Sequence, residues 1–552
     1  MRHGGRILID QIAAQGATTV FTVPGESFLA ALDGLYDTNR MRTIICRQEG
    51  GAAMMAEAWG KMTGKPGICF VTRGPGAANA MAGLHVAQQD STPMILFLGL
   101  PGAEHEDREA FQEIDTKRLF SSFVKWAAVI RATDRIPEYV SRAFHVAMSG
   151  RPGPVVLGLP EDMLSAHAEA KDARPARVAE PAPTAADIAA LQKMLAKAQR
   201  PLLLVGGPGW SADIQERIEA FAKRLDLPVT TAFRFQDYVD NRHPCYVGHA
   251  GIGPHAALAD AIRGTDLLIA VGARLGEMTT SGYTLLDIPN PRQPLVHAHP
   301  SADELGTVYR ADLAINATAR TFAATLDALE APATIPWKAW RAELRKACEA
   351  AWVPIETPGT VKLERVIRIA SETLPDNAIV TNGAGNYAAF LHRYFTYKGF
   401  RTQLSPTSGS MGYGLPAAIA AKLAEPGRPV VCFAGDGCFM MTSQELATAV
   451  QYGLPIVTVV ANNGMYGTIR MHQEKTYPGR VVGTTLVNPD FAMFAQSFGG
   501  HGETVVRTEE FVPALRRALD SGKPAVIELK IDPEALTPRL TLSQIREATG
   551  RG

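Results

Sequence analysis

Short apolar runs rich in Val, Ile and Leu, each ended by glycine, proline or polar residues, recur along the chain with helix-length stretches between them. In the first third they stand at 19–23, 43–46, 67–72, 94–98 and 155–159, each the size of a strand buried on both faces. Helix-like segments separate them, so the pattern is a succession of right-handed βαβ crossovers building a parallel sheet. A second series begins at 200–207 and includes 266–271 and 294–297; a third carries 378–381, 429–434, 455–461 and 525–529. Between the series, residues 166–188, rich in Ala, Glu, Pro and Arg, and the polar, Pro-bearing residues 329–361 read as linkers. The architecture expected is α/β, with three doubly wound parallel-sheet domains over residues 1–165, 190–328 and 361–535. No fixed-period repeat points to a solenoid.

With 552 residues, 46% of them apolar, the chain can build several cores. Its longest apolar runs, such as 93–100, are far short of the ~20 residues a membrane helix needs, so no membrane contact is expected. The 55 basic and 55 acidic residues cancel, which removes the basic footprint of a nucleic-acid binder and favours a small-molecule substrate. The six cysteines form no Cys-x-x-Cys pair, and no apolar signal core follows the first residues, so a cytoplasmic protein with reduced cysteines is expected.

Candidate chemistry concentrates in the third series. Gly435-Asp436-Gly437 follows the strand at 429–434, and Asn462-Asn463 follows the strand at 455–461. The 24 positions between Gly437 and Asn462 begin at Cys438 and hold a helix at 442–452, apolar at Leu446, Ala447 and Val450, before the second strand. Such a unit puts Asp436 and Asn463 side by side at the carboxyl ends of adjacent parallel strands, where open α/β sheets bind ligands. One carboxylate, one amide oxygen and one backbone carbonyl suit Mg²⁺, which completes its shell with phosphate oxygens and water. Gly435 and Gly437 let the backbone approach phosphate, and Cys438, next along the same turn, is a cofactor-binding candidate with them. A lone Gly-Asp-Gly would be a surface turn; paired with Asn-Asn across a βαβ span it reads as a metal-bridged diphosphate site.

This spacing is similar to the thiamine diphosphate motif, and the chain resembles the acetohydroxyacid synthase and pyruvate decarboxylase superfamily along nearly its whole length. The resemblance implies thiamine diphosphate and Mg²⁺ as cofactors, with Asp436, Asn463 and the main-chain oxygen of Met465 on the metal. It also implies that the first and third blocks share a fold, bind the pyrimidine and the diphosphate respectively, and meet across the interface of a homodimer or homotetramer. The loop from Thr381 to Asn386 looks like the second diphosphate loop. In Thr407-Ser408-Gly409-Ser410-Met411, Met411 matches the residue wedged beneath the cofactor rings, and Gly409 the carbonyl that meets its 4′-amino group.

Glu49 opens a helix of small residues, where by itself it would compensate the helix dipole. By the resemblance it hydrogen-bonds N1′ of the aminopyrimidine. Thr72-Arg73-Gly74-Pro75-Gly76 resembles the loop against the pyrimidine, with Arg73 where the synthases usually have a smaller residue; by its type alone it reads as solvated. Glu26 stands where the decarboxylases carry an acidic residue facing C2 and the synthases a small one, so it is either a first-turn helix residue or a general acid/base. Phe111-Gln112 resembles the pair lining the acceptor pocket, which makes Gln112 a third catalytic candidate beside Glu49 and Glu26. Met278, Glu161 and His472 replace an Arg, a Lys and a Trp of the synthases on the acceptor side, which removes two positive charges. His85 could reach the cleft, although a lone His among apolar residues is more often packing. Gly206-Gly207-Pro208-Gly209 and Gly272-Ala273-Arg274 leave flavin adenine dinucleotide possible in the central block, with His299 where an acidic residue often stands.

The activity implied is thiamine diphosphate- and Mg²⁺-dependent decarboxylation of a 2-keto acid, with carboligation of the enamine to a carbonyl acceptor, as in an acetolactate synthase. The alternatives are a non-ligating 2-keto acid decarboxylase, a C–C lyase, or a non-catalytic cofactor-binding homologue.

Overall fold

The computed structural model describes residues 1–549. Three six-stranded sheets, each parallel throughout, carry the chain. The first runs in space Arg42–Ile45, Thr19–Thr22, Gly67–Val71, Met94–Leu100, Pro154–Pro160, Trp126–Val129. The third runs Gln403–Leu404, Ile379–Asn382, Val430–Gly435, Val457–Asn462, Ala525–Lys530, His501–Val505, the same order of sequential strands as the first. The second, Tyr246–His249, Val229–Thr231, Pro201–Val205, Leu267–Val271, Leu295–His299, Leu313–Asn316, is wound differently. The winding reverses beside Thr19–Thr22 and Gly67–Val71, beside Pro201–Val205 and Leu267–Val271, and beside Ile379–Asn382 and Val430–Gly435; in the first and third sheets it turns back again at the far edge, where the last strand lies inside the one before it. The crevice at the carboxyl ends of such a pair is where this architecture takes ligands. Glu26 and Thr72 flank the first crevice, Asn386 and Asp436 the third.

Residues 329–361 are not a bare linker. They contain the helix Lys338–Ala351, held to the central core by Trp337, Leu344 and Cys348, with the Trp337 indole donating to the Leu225 carbonyl at 3.0 Å. Its apolar stripe at 337, 340, 344 and 348 has helical spacing, but the Lys, Arg and Glu between these positions mask it. Of residues 166–188, His167–Ala168 pairs antiparallel with Arg2–His3, and the helix Ala185–Lys197 begins earlier than expected because Thr184 and Asp187 form a capping box. The segment at 442–452 starts as a 3₁₀ turn, Ser443–Glu445, before the helix Leu446–Gln451. All six cysteines are buried and unpaired, and no described helix is long and apolar enough to cross a membrane.

The first and third domains share one hydrophobic core. The helix Glu49–Thr63 packs between Gly74–Asp90 and Gly414–Ala424. The first contact is so close that a Cβ on Gly83 would lie 2.4 Å from that of Ala53. Polar groups cross the same boundary from Tyr413 and Ser405, with Thr92 bracing the first-domain side. Tyr413 and Thr92 donate to Glu57 at 2.5 and 2.7 Å, and Lys61, paired with Asp90, donates to the Ser405 carbonyl. Burial pushes the Glu57 carboxyl up to about 7, with Lys61 opposing. These bonds anchor residues 405–413, the loop that carries Gly409 and Met411.

Asp237 joins the central and third domains by accepting the backbone N–H groups of Thr402 and Gln403 at 3.0 and 3.2 Å. Burial raises its carboxyl from 3.8 to about 6. A raised acid favours the protonated folded state, so stability is full below pH 4, falls as pH rises towards 6, and levels off above. The loss is on the order of 2–3 kcal/mol. Asp237→Asn should therefore melt higher than the parent by several degrees above pH 6, at about 2–4 °C per kcal/mol, with the gap closing towards pH 4. A gap in melting temperature independent of pH would contradict this account.

Candidate active site

In the third domain Gly435 ends a strand and Asp436 opens a short helix, Asp436–Met440, so the motif is a strand-to-helix turn. The strands Val430–Gly435 and Val457–Asn462 pair in parallel with Gly435 opposite Ala461, which sets Asp436 level with Asn462 and one residue short of Asn463. Asp436 Oδ1 accepts from Gly437 N–H at 2.8 Å, and Oδ2 from Gly464 N–H at 2.9 Å and the Asn488 amide at 2.8 Å. Burial raises its carboxyl above the ordinary value, against these hydrogen bonds. Asn463 Oδ1 accepts from Met465 N–H at 3.2 Å. Asn386, at the start of the helix Asn386–Tyr394, donates to the Leu536 carbonyl and accepts from Thr468.

Asn386, Gly409, Met411, Gly435, Asp436, Gly437, Cys438, Asn463 and Met465, all nine third-domain candidates, line a single cavity of 260 Å³. Gly409, at φ 69°, has nothing within 4 Å of the place a Cβ would take, so the backbone there is open to an incoming group. The neighbouring glycines serve the protein as well. A Cβ on Gly437 would strike the Tyr466 ring at 2.6 Å, and one on Gly435 would press on Tyr387 at 3.1 Å. Cys438 turns its sulfur inward, accepting from Gly412 N–H at 3.3 Å. A carboxylate with spare lone pairs, an amide oxygen and an open glycine backbone fit a cation-bridged diphosphate.

The first-domain candidates stand apart from that cavity and together with one another. Asn79 donates to Glu49 Oε2 at 2.8 Å, and a Cβ on Gly76 would lie 3.5 Å from Glu49 Oε1. Ser27 and Thr72 share a hydrogen bond at 2.9 Å, and a Cβ on Gly25 would collide with Thr72 at 2.5 Å. Gly74 N–H donates to the Gln112 carbonyl at 2.9 Å, so the loop at 72–76 gathers Glu26, Glu49 and Gln112 around it. Glu445 braces the group by accepting the N–H groups of Arg47 and Gln48. Arg73 is not solvated: it is 9% exposed and paired with Glu26 and Glu161.

His85, Met278 and His472 line a second, larger cavity of 800 Å³ that also reaches Asn386 and Gly409. In the central crevice Gly206, Gly207 and Gly272 are packed against the protein. Trp210 and Tyr238 donate to the carbonyls of Gly206 and Gly207 at 2.9 and 2.8 Å, and a Cβ on Gly207 would lie 1.8 Å from the Gly272 carbonyl. Strand-end packing accounts for Gly206, Gly207 and Gly272, whereas Gly209, at φ 80°, has nothing within 4 Å of the place a Cβ would take and lines a cavity of 460 Å³ with Gly207 and Arg234. Asn488 and Asn79 escaped the sequence reading: each is a lone amide in a segment without a motif, 52 residues from Asp436 and 30 from Glu49.

The structure thus holds two separate crevices on sheets of one topology, one with a carboxylate and two amides and the other with a glutamate. Three family models agree with it: the N-terminal and C-terminal TPP binding domains of the thiamine pyrophosphate enzymes match residues 2–119 and 383–529, and their central domain matches 188–329. The chain belongs to the thiamine pyrophosphate enzymes. It is 32% identical to the acetolactate synthase isozyme 2 large subunit of Escherichia coli strain K12, over 96% of each chain. It is 30% identical to the probable acetolactate synthase large subunit of Methanocaldococcus jannaschii, over 97% of this chain and 93% of that one. The mitochondrial acetolactate synthase catalytic subunit of Saccharomyces cerevisiae is 30% identical, over 96% of this chain and 80% of its own length.

Proposed function

We propose that the chain uses thiamine diphosphate and Mg²⁺ to decarboxylate a 2-keto acid and to join the remaining acyl carbon to a carbonyl acceptor, an acetolactate synthase-like reaction, in a site shared by two copies of the chain. The observation that carries this reading is the division of the candidates: nine line the third-domain cavity, and no first-domain residue lines it. A second copy supplies the missing face, and a two-fold dimer does so twice.

Asp436, Asn463 and the Met465 carbonyl hold the cation, and Asn386 and the Gly435–Gly437 backbone receive the diphosphate. Met411 and Gly409 address the rings, on a loop the Glu57 and Asp90 bonds keep in place. Glu49, oriented by Asn79, holds a proton at N1′ of the pyrimidine. When bound, the cofactor supplies the electron sink for the pair left as CO₂ departs. Glu26 then has two uses: as an acid it protonates the acyl carbon and releases aldehyde, and as a hydrogen-bonding group it orients an acceptor. A carboxyl group at the first crevice, with Arg73 at 3.4 Å, keeps the non-ligating decarboxylase as a second reading.

The test is a panel of 2-keto acids with and without aldehyde acceptors, products being read by mass spectrometry. CO₂ and a 2-hydroxyketone are expected only with thiamine diphosphate and Mg²⁺ present. The absence of CO₂ from every donor would overturn the proposal.

A further inference from the structure

Arg73 departs from what its sequence position suggests. It follows the strand Gly67–Val71 at the first crevice, and it lies between Glu26, after Thr19–Thr22, and Glu161, after Pro154–Pro160. A guanidinium therefore ties the carboxyl ends of three strands. The two links are unequal. Arg73 Nη2 donates to Glu161 Oε1 in direct hydrogen-bond contact, while Arg73 Nη1 reaches Glu26 Oε1 only at 3.4 Å. Burial is unequal as well. The Arg73 side chain is 10% exposed, against 38% for Glu161 and 69% for Glu26, and Arg73 Nε is buried with no partner among the described residues.

A buried cation must be compensated, and Glu161 does most of that. The remaining attraction holds Glu26 on a loose tether, close enough to be aimed and free enough to move towards a ligand. Ser27 and Thr72, hydrogen-bonded at 2.9 Å directly beside this pair, fix the backbone from which both side chains start. We infer that Arg73 is a positioning residue for Glu26, with Glu161 setting how strongly it pulls, and that this clasp governs whether the acyl carbon is protonated or ligated. The inference rests on the reading above. In the step concerned, the Glu26 carboxylic acid gives its proton to the acyl carbon that has lost CO₂, a C–H bond forms as the O–H bond breaks, and the carboxylate regains a proton from water. No oxidant or reductant enters.

The experiment is a double-mutant cycle on the holoenzyme, read as the aldehyde-to-2-hydroxyketone ratio with one 2-keto acid and one aldehyde acceptor. This ratio does not depend on how much protein folds. Glu26→Gly should lower the ratio about a hundredfold and Arg73→Met about tenfold, while the double variant should match Glu26→Gly, since Arg73 acts through Glu26. Arg73→Lys, which keeps the charge but loses the fork, should recover part of the loss. Glu161→Gln should raise the ratio, because Arg73 then draws Glu26 in, and a fall in the ratio would overturn the inference. If Arg73→Met lowers the ratio equally with and without Glu26, or leaves it unchanged while both products form, the inference is overturned and the proposed function stands. If no donor yields either product, the proposed function fails and the inference with it.

Discussion

Glu49→Gln is expected to lower kcat by about 10²–10⁴ while the fold and cofactor retention persist. An amide can still take the Asn79 hydrogen bond that holds Glu49 Oε2 at 2.8 Å, so the local geometry survives. It cannot exchange a proton with N1′, and that exchange is the contribution assigned to Glu49. The helix Glu49–Thr63 is further secured by the Gln48 side-chain cap on Gly51 N–H and by Glu445 on Arg47 and Gln48, none of which involves the Glu49 carboxylate. Circular dichroism and thiamine diphosphate titration separate the two effects. Parental turnover in this variant would remove Glu49 from the chemistry.

Asp436→Ala should act on retention of the cofactor, weakening thiamine diphosphate binding in Mg²⁺ by more than about a hundredfold. Losing even an outer-shell partner of a metal commonly costs about 10–100-fold, and Asp436 is proposed as the one charged ligand. The substitution also strips the acceptor from Gly437 N–H, a buried donor whose loss costs about 1–3 kcal/mol, while Gly464 N–H and the Asn488 amide keep Asn462 Oδ1 at 3.1 and 2.9 Å. Asp436→Asn keeps an oxygen for those donors, and should bind weakly while melting closer to the parent. Calorimetry in Mg²⁺ is the measurement; unchanged binding by both variants would mean that the cation, or the diphosphate, sits elsewhere.

What was legible in the sequence follows from how the fold is built. In a parallel α/β sheet each strand end is a few consecutive residues, so motifs such as Gly435-Asp436-Gly437 and Asn462-Asn463 place themselves, and Thr72 and Glu49 do the same in the first sheet. The apolar runs reveal the sheets because buried parallel strands carry little else. Partners supplied by another strand end leave no such trace. The Arg73–Glu161 contact spans 88 residues, and the Asn488–Asp436 contact lies across a loop with no pattern of its own. Charged residues hid the helix Lys338–Ala351, since its narrow apolar stripe meets only one edge of the central core. Lone glycines were the most ambiguous: Gly206 and Gly207 suit a dinucleotide by pattern, and the structure spends them on Trp210, Tyr238 and Gly272.

Complementation between the two inactive variants tests the shared site most directly. Glu49→Gln and Asp436→Ala chains, unfolded and refolded together or co-expressed, form mixed dimers in which one site carries both substitutions and the other carries neither. With random pairing in equal amounts, half the dimers are mixed and half of their sites are intact. Thiamine diphosphate-dependent release of CO₂ from a 2-keto acid should then return to about a quarter of the parental rate, although each variant alone is inactive. Recovery at that level is the predicted result; a mixture as inactive as its components, with mixed dimers demonstrated by mass spectrometry, would contradict a site built from Glu49 of one chain and Asp436 of the other.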